Sequence, residues 1–278
     1  MTLLAEKEAF MSEEQVIQET STLCTRESLA ADLRRLGLKA GMTVLVHTSL
    51  RSLGWVCGSP VAVVEALMDV VTASGTLVMP TQTGNYSDPA NWQHPPVPQP
   101  WWDVIYEAMP AFRPEVTPSH KMGAVVEAFR THPGVVRSNH PQVSFAAWGK
   151  HAEQIIANHA LENGLGEQSP LARMYDLDGY ALLLGVGYDS NTTFHLAEYR
   201  APGAQEVQLG APIIENGTRI WKRFKDIELD ADIFPAIGEE FEHTGQVLIN
   251  KVGQADARLL PQRAGVDFAT EWLRRHRL

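Results

Sequence analysis

The stretch TVLVHTSLRSLGWVCGSPVAVVEALMDVVTASGTLVMP, residues 43–80, reads as strand, loop, helix and strand in that order. TVLVHTSL (43–50) is a short apolar run of the length expected for a buried strand. SPVAVVEALMDVV (59–71) places Ser59 at a cap and Pro60 at the first helical position, where proline's missing N–H leaves no bond unmade. GTLVMPT (75–81) is apolar and short again. Two neighbouring strands joined through a helix run parallel, because the crossover returns the chain to the same end of the sheet. The expectation is a single α/β domain with a central mixed β-sheet flanked by helices.

Working outward, Thr25 caps RESLAADLRRLGL, whose leucines at 29, 33 and 36 share one helical face. Further helices are expected at MGAVVEAFRTHPG (122–134), AEQIIANHAL, SPLARMYDL, DADIFPAIGEEFEHTG and GVDFATEWLRRHRL. Further strands are expected at QVSFAAWG (142–149), YALLLGVG (180–187) and QVLINKVG. EVQLGAPII and TRIWKRF flank the turn ENG and fit an antiparallel pair. Residues 84–118 are rich in proline and hold Trp92, Trp101 and Trp102, so they are expected to form a long aromatic loop over a cleft. Residues 1–24 are expected to be a flexible N-terminal segment and residues 25–278 one domain.

Composition narrows the function. The formal net charge of -10 argues against nucleic acid, which wants a basic face, and permits a cationic ligand. No apolar run reaches the roughly 18–20 residues needed to span a bilayer, so no membrane partner is expected. Two cysteines, Cys24 and Cys57, make no disulfide framework, and a cytoplasmic location is the simplest expectation. HExxH and CxxC pairs are absent, so no metal is expected; nothing in their spacing brings His47, His140 and His195 together as ligands.

Three stretches carry candidate chemistry. HTSLRSLGWVCGSP (47–60) joins a strand to a helix start, whose free N–H groups favour an anion such as a phosphate; Arg51 adds a charge. A plain connecting turn is the alternative. YALLLGVGYDSNTTFHLAEYR (180–200) runs from a strand end into a helix start that Asn191, Thr192 or Thr193 caps. His195 and Glu198, three residues apart, share a helical face, and an imidazole with its ordinary pKa near about 6.5 takes a proton from an amine or alcohol. A histidine merely packed in the helix start is the alternative. FKDIELDADIF (224–234) alternates Asp226, Glu228, Asp230 and Asp232 with apolar residues, which puts the carboxylates on one side of an extended segment. Such a row would hold a polyamine; a solvated face is the plainer reading. Cys57 near a helix start is a further candidate, as a thiolate acyl carrier.

Together these blocks, with WWDVIYEAMPAFRPEVTPSHKMGAVVEAFRTHPGVVRSNHPQVSFAAWG and LGEQSPLARMYDLDGYALLLGVGYDSNTTFHLAE, closely resemble the aminoglycoside 3-N-acetyltransferase family from about Thr25 onward. The resemblance implies acetyl transfer from acetyl-CoA, a co-substrate, to the 3-amino group of a 2-deoxystreptamine antibiotic. It implies direct transfer with a general base. Coenzyme A would then meet Thr48, Ser49, Leu50, Arg51, Gly54, Trp55, Val56, Cys57 and Gly58, with Thr81 near the thioester. Met122, Gly123, Ser138 and Ser144 would add coenzyme contacts. His195 would be the catalytic histidine, Glu198 its carboxylate neighbour, and Asp226 the acid nearest the target amine. Trp102, Tyr106, Glu107, Asp189, Glu228 and Asp230 would line the antibiotic side. A homodimer is one option the resemblance leaves open.

Three departures stand out. CGSP replaces a usual GG pair, His120 replaces a common arginine, and Arg113 replaces a common acid. These bear on the range of amines accepted. The rival expectations are a Cys57 ping-pong acyltransferase and an acyl-CoA or polyamine binding protein without drug-modifying activity.

Overall fold

A computed structural model describes residues 13–93 and 95–277. In chain order the first elements are α1 (Glu13–Glu19), α2 (Arg26–Leu36), β1 (Thr43–Thr48), α3 (Ser59–Val71), β2 (Thr76–Pro80), α4 (Trp102–Ala108), α5 (Ala124–Arg130), β3 (Val136–Arg137) and β4 (Phe145–Gly149). There follow α6 (Ala152–Ile156), α7 (Pro170–Asp176), β5 (Tyr180–Leu184), α8 (His195–Arg200), β6 (Glu206–Glu215), β7 (Thr218–Ile227), α9 (Phe234–Glu242), β8 (Leu248–Val252), β9 (Ala255–Pro261) and α10 (Gln262–His276).

Seven strands form one sheet in the order β3-β4-β2-β1-β5-β9-β8, and β6 and β7 form a separate hairpin. β1 sits at the centre, parallel to β2 on one side and β5 on the other. The remaining pairs are antiparallel. Helices cover both faces, so the central strands are apolar throughout rather than alternating with polar residues. The two-residue pleat still sorts their side chains. Val44, Val46, Leu77, Met79, Leu182 and Leu184 belong to the core under α2, α3 and α5. Leu45, Val78, Ala181 and Leu183 point to the other core, with α6 to α10. No helix among the described residues is long and apolar enough to cross a membrane.

Local signals explain most boundaries. Thr25 and Ser28 form a reciprocal capping box at the start of α2, and Gly37 at φ 115 ends it in the left-handed conformation. The β6–β7 hairpin turns through Asn216 and Gly217, both at positive φ, which matches the twist of the flanking strands.

Several expectations are corrected. Ser59 does not cap α3: it lies inside the helix at φ 53, and Gly58 holds the cap position without a side-chain bond. Residues 13–24 are not a free segment. They contain α1, and Cys24 is buried and bridges to Val56; residues 1–12 lie outside the described residues. The proline- and tryptophan-rich loop contains α4 and docks on the β6–β7 hairpin. Phe112 N–H donates to Pro212 at 3.0 Å, Arg219 Nε donates to the Met109 carbonyl at 3.1 Å, and the Tyr106 and Trp221 rings meet edge-on at 4.8 Å. β9 was not anticipated; its pattern ADARLLP follows a tight turn at Gly253 and Gln254. The acidic alternation does not lie on one strand: β7 ends at Ile227, Glu228 and Asp230 follow it in irregular backbone, and Asp232 sits in the short 3-10 helix Ala231–Ile233.

Candidate active site

The carboxyl ends of the three mutually parallel strands converge on one cleft of about 1160 Å3. β1 delivers His47 and Thr48, β2 delivers Pro80 with Gln82 just beyond, and β5 leads to Val186, Asp189 and Ser190. The chain leaves β1 toward β2 while β5 pairs on the other side, and side chains past the strand ends face the opening between them. The loop after β1 is tied across this opening. Ser49 N–H donates to the Leu184 carbonyl at 3.0 Å, and Ser52 Oγ donates to the Gly185 carbonyl at 2.9 Å.

One wall suits an anionic, partly apolar ligand. The start of α3, with Gly58 and Ser59, opens on the cleft, and the helix is 13 residues long, so its terminal N–H groups and dipole favour negative charge. Arg51 and Lys121 add cationic groups, and Trp55, Val56, Met122 and Val126 add apolar surface. Gly54 at φ 85 keeps the wall close: a Cβ there would lie 2.6 Å from Gln254 Oε1. α1 closes one side, with Glu13 and Val16 in the lining and Glu13 Oε1 accepting from Trp55 Nε1 at 3.3 Å.

The reactive pair sits at the start of α8. Asn191 Oδ1 accepts from Thr193 N–H at 3.4 Å and from Thr193 Oγ1 at 2.7 Å, which fixes the chain entering the helix. His195 follows, its ring 13% exposed and lining the cleft. Its Nδ1 lies 2.5 Å from Oε2 of Glu198, a carboxylate with no exposure. Phe234 presents its ring edgewise at 4.8 Å. Oε1 of Glu198 accepts from Asp230 N–H at 3.0 Å and Arg277 Nη2 at 2.9 Å. The carboxylate thus directs the Nδ1 proton, and Nε2, bonded to no described residue, is the nitrogen left for chemistry in the cleft. His47 lies close by. Burial first, and the charge of His195 second, push it down to about 3, so its ring is neutral and its Nε2 has no partner.

The sequence-derived site residues divide. Thr48, Ser49, Leu50, Arg51, Gly54, Trp55, Val56, Gly58, Met122, Gly123, Asp189 and His195 line the cleft. Cys57 does not; it is exposed and its N–H donates to the Cys24 carbonyl at 2.9 Å. Thr81, Ser138 and Ser144 are buried behind the wall. Arg137 Nε donates to the hydroxyls of Thr81 and Ser144, both at 3.0 Å, and its other nitrogens donate to the carbonyls of Thr81, Pro114 and Thr117. Burial lowers this guanidinium to about 10. Ser138 Oγ donates to neither cleft nor solvent but meets Phe145 N–H and His159 Nδ1, both at 2.9 Å. The His140 and His159 rings pack 4.7 Å apart, tilted by 33°, in this buried network, so His140 does not join His47 and His195.

Asp226 is also built in. It accepts from the Tyr199 hydroxyl, from Gly164 N–H at 3.1 Å and from Ile227 N–H at 2.8 Å. It contributes to a smaller pocket of about 210 Å3 that shares Gln82 with the main cleft. Trp102, Tyr106 and Glu107 lie on α4 against the hairpin and do not line the main cleft; Tyr106 donates to Asp88 at 2.5 Å. Glu228 and Asp230 are exposed, and only the Asp230 backbone reaches the pair, through Glu198. Sequence reasoning missed Lys121, Gln82 and Arg277. Lys121 stood inside the quoted SHKMG, whereas nothing local marked Arg277. Among the described residues no group of three or more His, Cys, Asp or Glu side chains could hold a metal ion.

Residues 45–274 match the aminoglycoside 3-N-acetyltransferase family. The chain belongs to that family and is a transferase. It is 51% identical over 258 residues, 92% of this chain and 95% of the relative, to the SPbeta prophage-derived aminoglycoside N(3')-acetyltransferase-like protein YokD of Bacillus subtilis (strain 168). The YokD crystal structure superposes with a TM-score of 0.93 at 50% identity, covering 94% of this chain and 97% of YokD. Aminoglycoside N(3)-acetyltransferase VII of Streptomyces paromomycinus is 36% identical over 95% of this chain and 96% of its own. A structure of AAC-IIIb with CoASH superposes with a TM-score of 0.82 at 31% identity, covering 92% of this chain and 98% of that one.

Proposed function

We propose that the chain transfers the acetyl group of acetyl-CoA to the 3-amino group of a 2-deoxystreptamine aminoglycoside, by direct attack with His195 as general base. The observation that carries the reading is the 2.5 Å contact between His195 Nδ1 and the fully buried Glu198, with the ring opening on a large cleft. An ammonium has no lone pair, so the substrate nitrogen attacks only after it loses a proton. That first proton goes to solvent; His195 Nε2 then takes a second proton from the free amine as the N–C bond forms at the thioester carbon, and the resulting imidazolium is the source of the proton that the sulfur accepts. The C–S bond then breaks, and the sulfur leaves as CoASH after accepting a proton. Glu198 stabilises the imidazolium formed in between, through Nδ1.

The donor side is supported by the start of α3, by Arg51 and Lys121 for phosphates, and by the apolar wall for the pantetheine arm. AAC-IIIb, a structural neighbour, holds CoASH. The acceptor side is supported by the names of the family and its relatives and by Asp189 at the cleft. The test is CoASH formation from acetyl-CoA with gentamicin or kanamycin by the wild type and His195→Ala. A fall in kcat of about 10²- to 10⁴-fold is expected, the usual contribution of a positioned base. Equal rates would remove His195 from the mechanism.

A further inference from the structure

Glu198 is held by more than its histidine. Oε2 serves His195, while Oε1 accepts from Asp230 N–H at 3.0 Å and from Arg277 Nη2 at 2.9 Å. Arg277 Nη1 also donates to the Glu198 carbonyl at 3.2 Å, so one guanidinium grips the side chain and the main chain of the same residue. Arg277 follows α10, 79 residues away in sequence and beyond residue 274, where the match to the family ends. Among the described residues it is the only cationic side chain besides His195 that contacts Glu198.

We propose that Arg277 is a positioning residue for the His195–Glu198 pair: its guanidinium neutralises the buried carboxylate on the oxygen that His195 does not use, and so sets how readily the pair releases its proton. The inference rests on His195 being the base. With Arg277 present, the carboxylate is balanced while the imidazole is neutral. Without it, a neutral imidazole leaves an uncompensated carboxylate that has no exposure, and burial disfavours that charge. The pair then keeps its proton to higher pH, whichever of the two residues carries it. A protonated pair accepts nothing from a substrate amine.

The other titratable groups nearby do not supply this charge. His47 on β1 is neutral. Tyr199 on α8 is committed to Asp226 on β7. Asp230 turns its side chain to Asp232 N–H at 3.0 Å, and Asp189, in the cleft lining, carries a carboxyl group and supplies no cation. Phe234 covers the ring without charge.

The experiment is the pH profile of kcat/KM at saturating acetyl-CoA for the wild type, Arg277→Gln, Arg277→Lys and His195→Gln, with thermal melts to confirm folding. In Arg277→Gln the acidic limb moves up by about one unit or more, the effect of losing an opposite charge at contact distance, and KM for acetyl-CoA stays unchanged. Arg277→Lys, which keeps the charge, moves less. Arg277→Met keeps the apolar stem and takes over with the same expectation if the glutamine variant does not fold. An unmoved limb in a folded Gln or Met variant overturns the proposal, and so does an equal shift in Lys and Gln. Failure of the parent reading has a different signature: His195→Gln would retain the wild-type rate.

Discussion

Replacing Glu198 with glutamine changes one atom, and the structure dictates which way the new amide points. Oε1 of Glu198 receives two donors, Asp230 N–H and Arg277 Nη2. An amide NH2 cannot face two donors, so its oxygen must take the Oε1 place. Its NH2 then meets His195 Nδ1, where Oε2 stood at 2.5 Å. Nδ1 must now accept, which drives the ring proton to Nε2 and removes the lone pair that would take the substrate proton. A positioned base is worth about 10²- to 10⁴-fold, or about 3–5 kcal/mol of barrier at 1.36 kcal/mol per tenfold. We therefore expect kcat to fall by about 10³-fold in Glu198→Gln, with acetyl-CoA affinity retained because Glu198 does not line the cleft. The assay should follow loss of thioester absorbance, since a thiol reagent would also titrate Cys57, which is exposed. A folded variant whose kcat stays within about threefold of wild type would refute the tautomer argument.

Two further predictions concern stability. His47 and His140 are buried neutral, pushed down to about 3 and about 4 chiefly by burial, and His159 shifts the same way. The unfolded chain binds protons at these rings near about pH 6.5, so stability is complete above that pH and drains as pH falls toward the folded values. Between pH 7 and 5 His47 and His140 should cost about 2 kcal/mol each, read as urea unfolding free energy at the two pH values; a flat comparison would contradict it. Gly238 on α9 faces the Tyr188 ring so closely that a Cβ would overlap it. Gly238→Ala should lose about 1–3 kcal/mol in the same assay, and an unchanged midpoint would show that the helix shifts freely.

Local chemistry was the legible part. His195 and Glu198 were visible because an i, i+3 pair after a strand end needs only helical geometry to meet, and they do meet. The loop 47–60 was visible because strand, small residues and helix start adjoin in sequence, and most of its residues line the cleft. The same kind of reasoning failed wherever a residue's partner was distant. Thr81, Ser138 and Ser144 looked like hydroxyls for a ligand, yet Arg137 and His159 occupy them. Asp226 looked free for an amine, yet Tyr199 and two backbone N–H groups hold it, and it lines the smaller pocket rather than the main cleft. Trp102 and Tyr106 marked a binding loop by composition, and composition does not say which surface an aromatic loop covers. Here it covers the hairpin.

The amino-acid sequence alone therefore determined the α/β class, the parallel centre of the sheet, the turn of the hairpin and the shared helical face of His195 and Glu198. Each follows from periodicity, turn residues or spacing within a few positions, where backbone geometry leaves few alternatives. That Glu198 rather than Asp226 supports the ring came from the tertiary structure. Only the tertiary structure decided which carboxylates stay available and which are spent on buried donors. It also decided that Trp102 and Tyr106 dock on the hairpin while Gly84 and Ser87 of the same loop line the smaller pocket that shares Gln82 with the main cleft, and that Arg277 and the Asp230 backbone close on Glu198. Those outcomes depend on which groups must find partners when water is excluded, and the partners come from segments that meet only after the chain has folded.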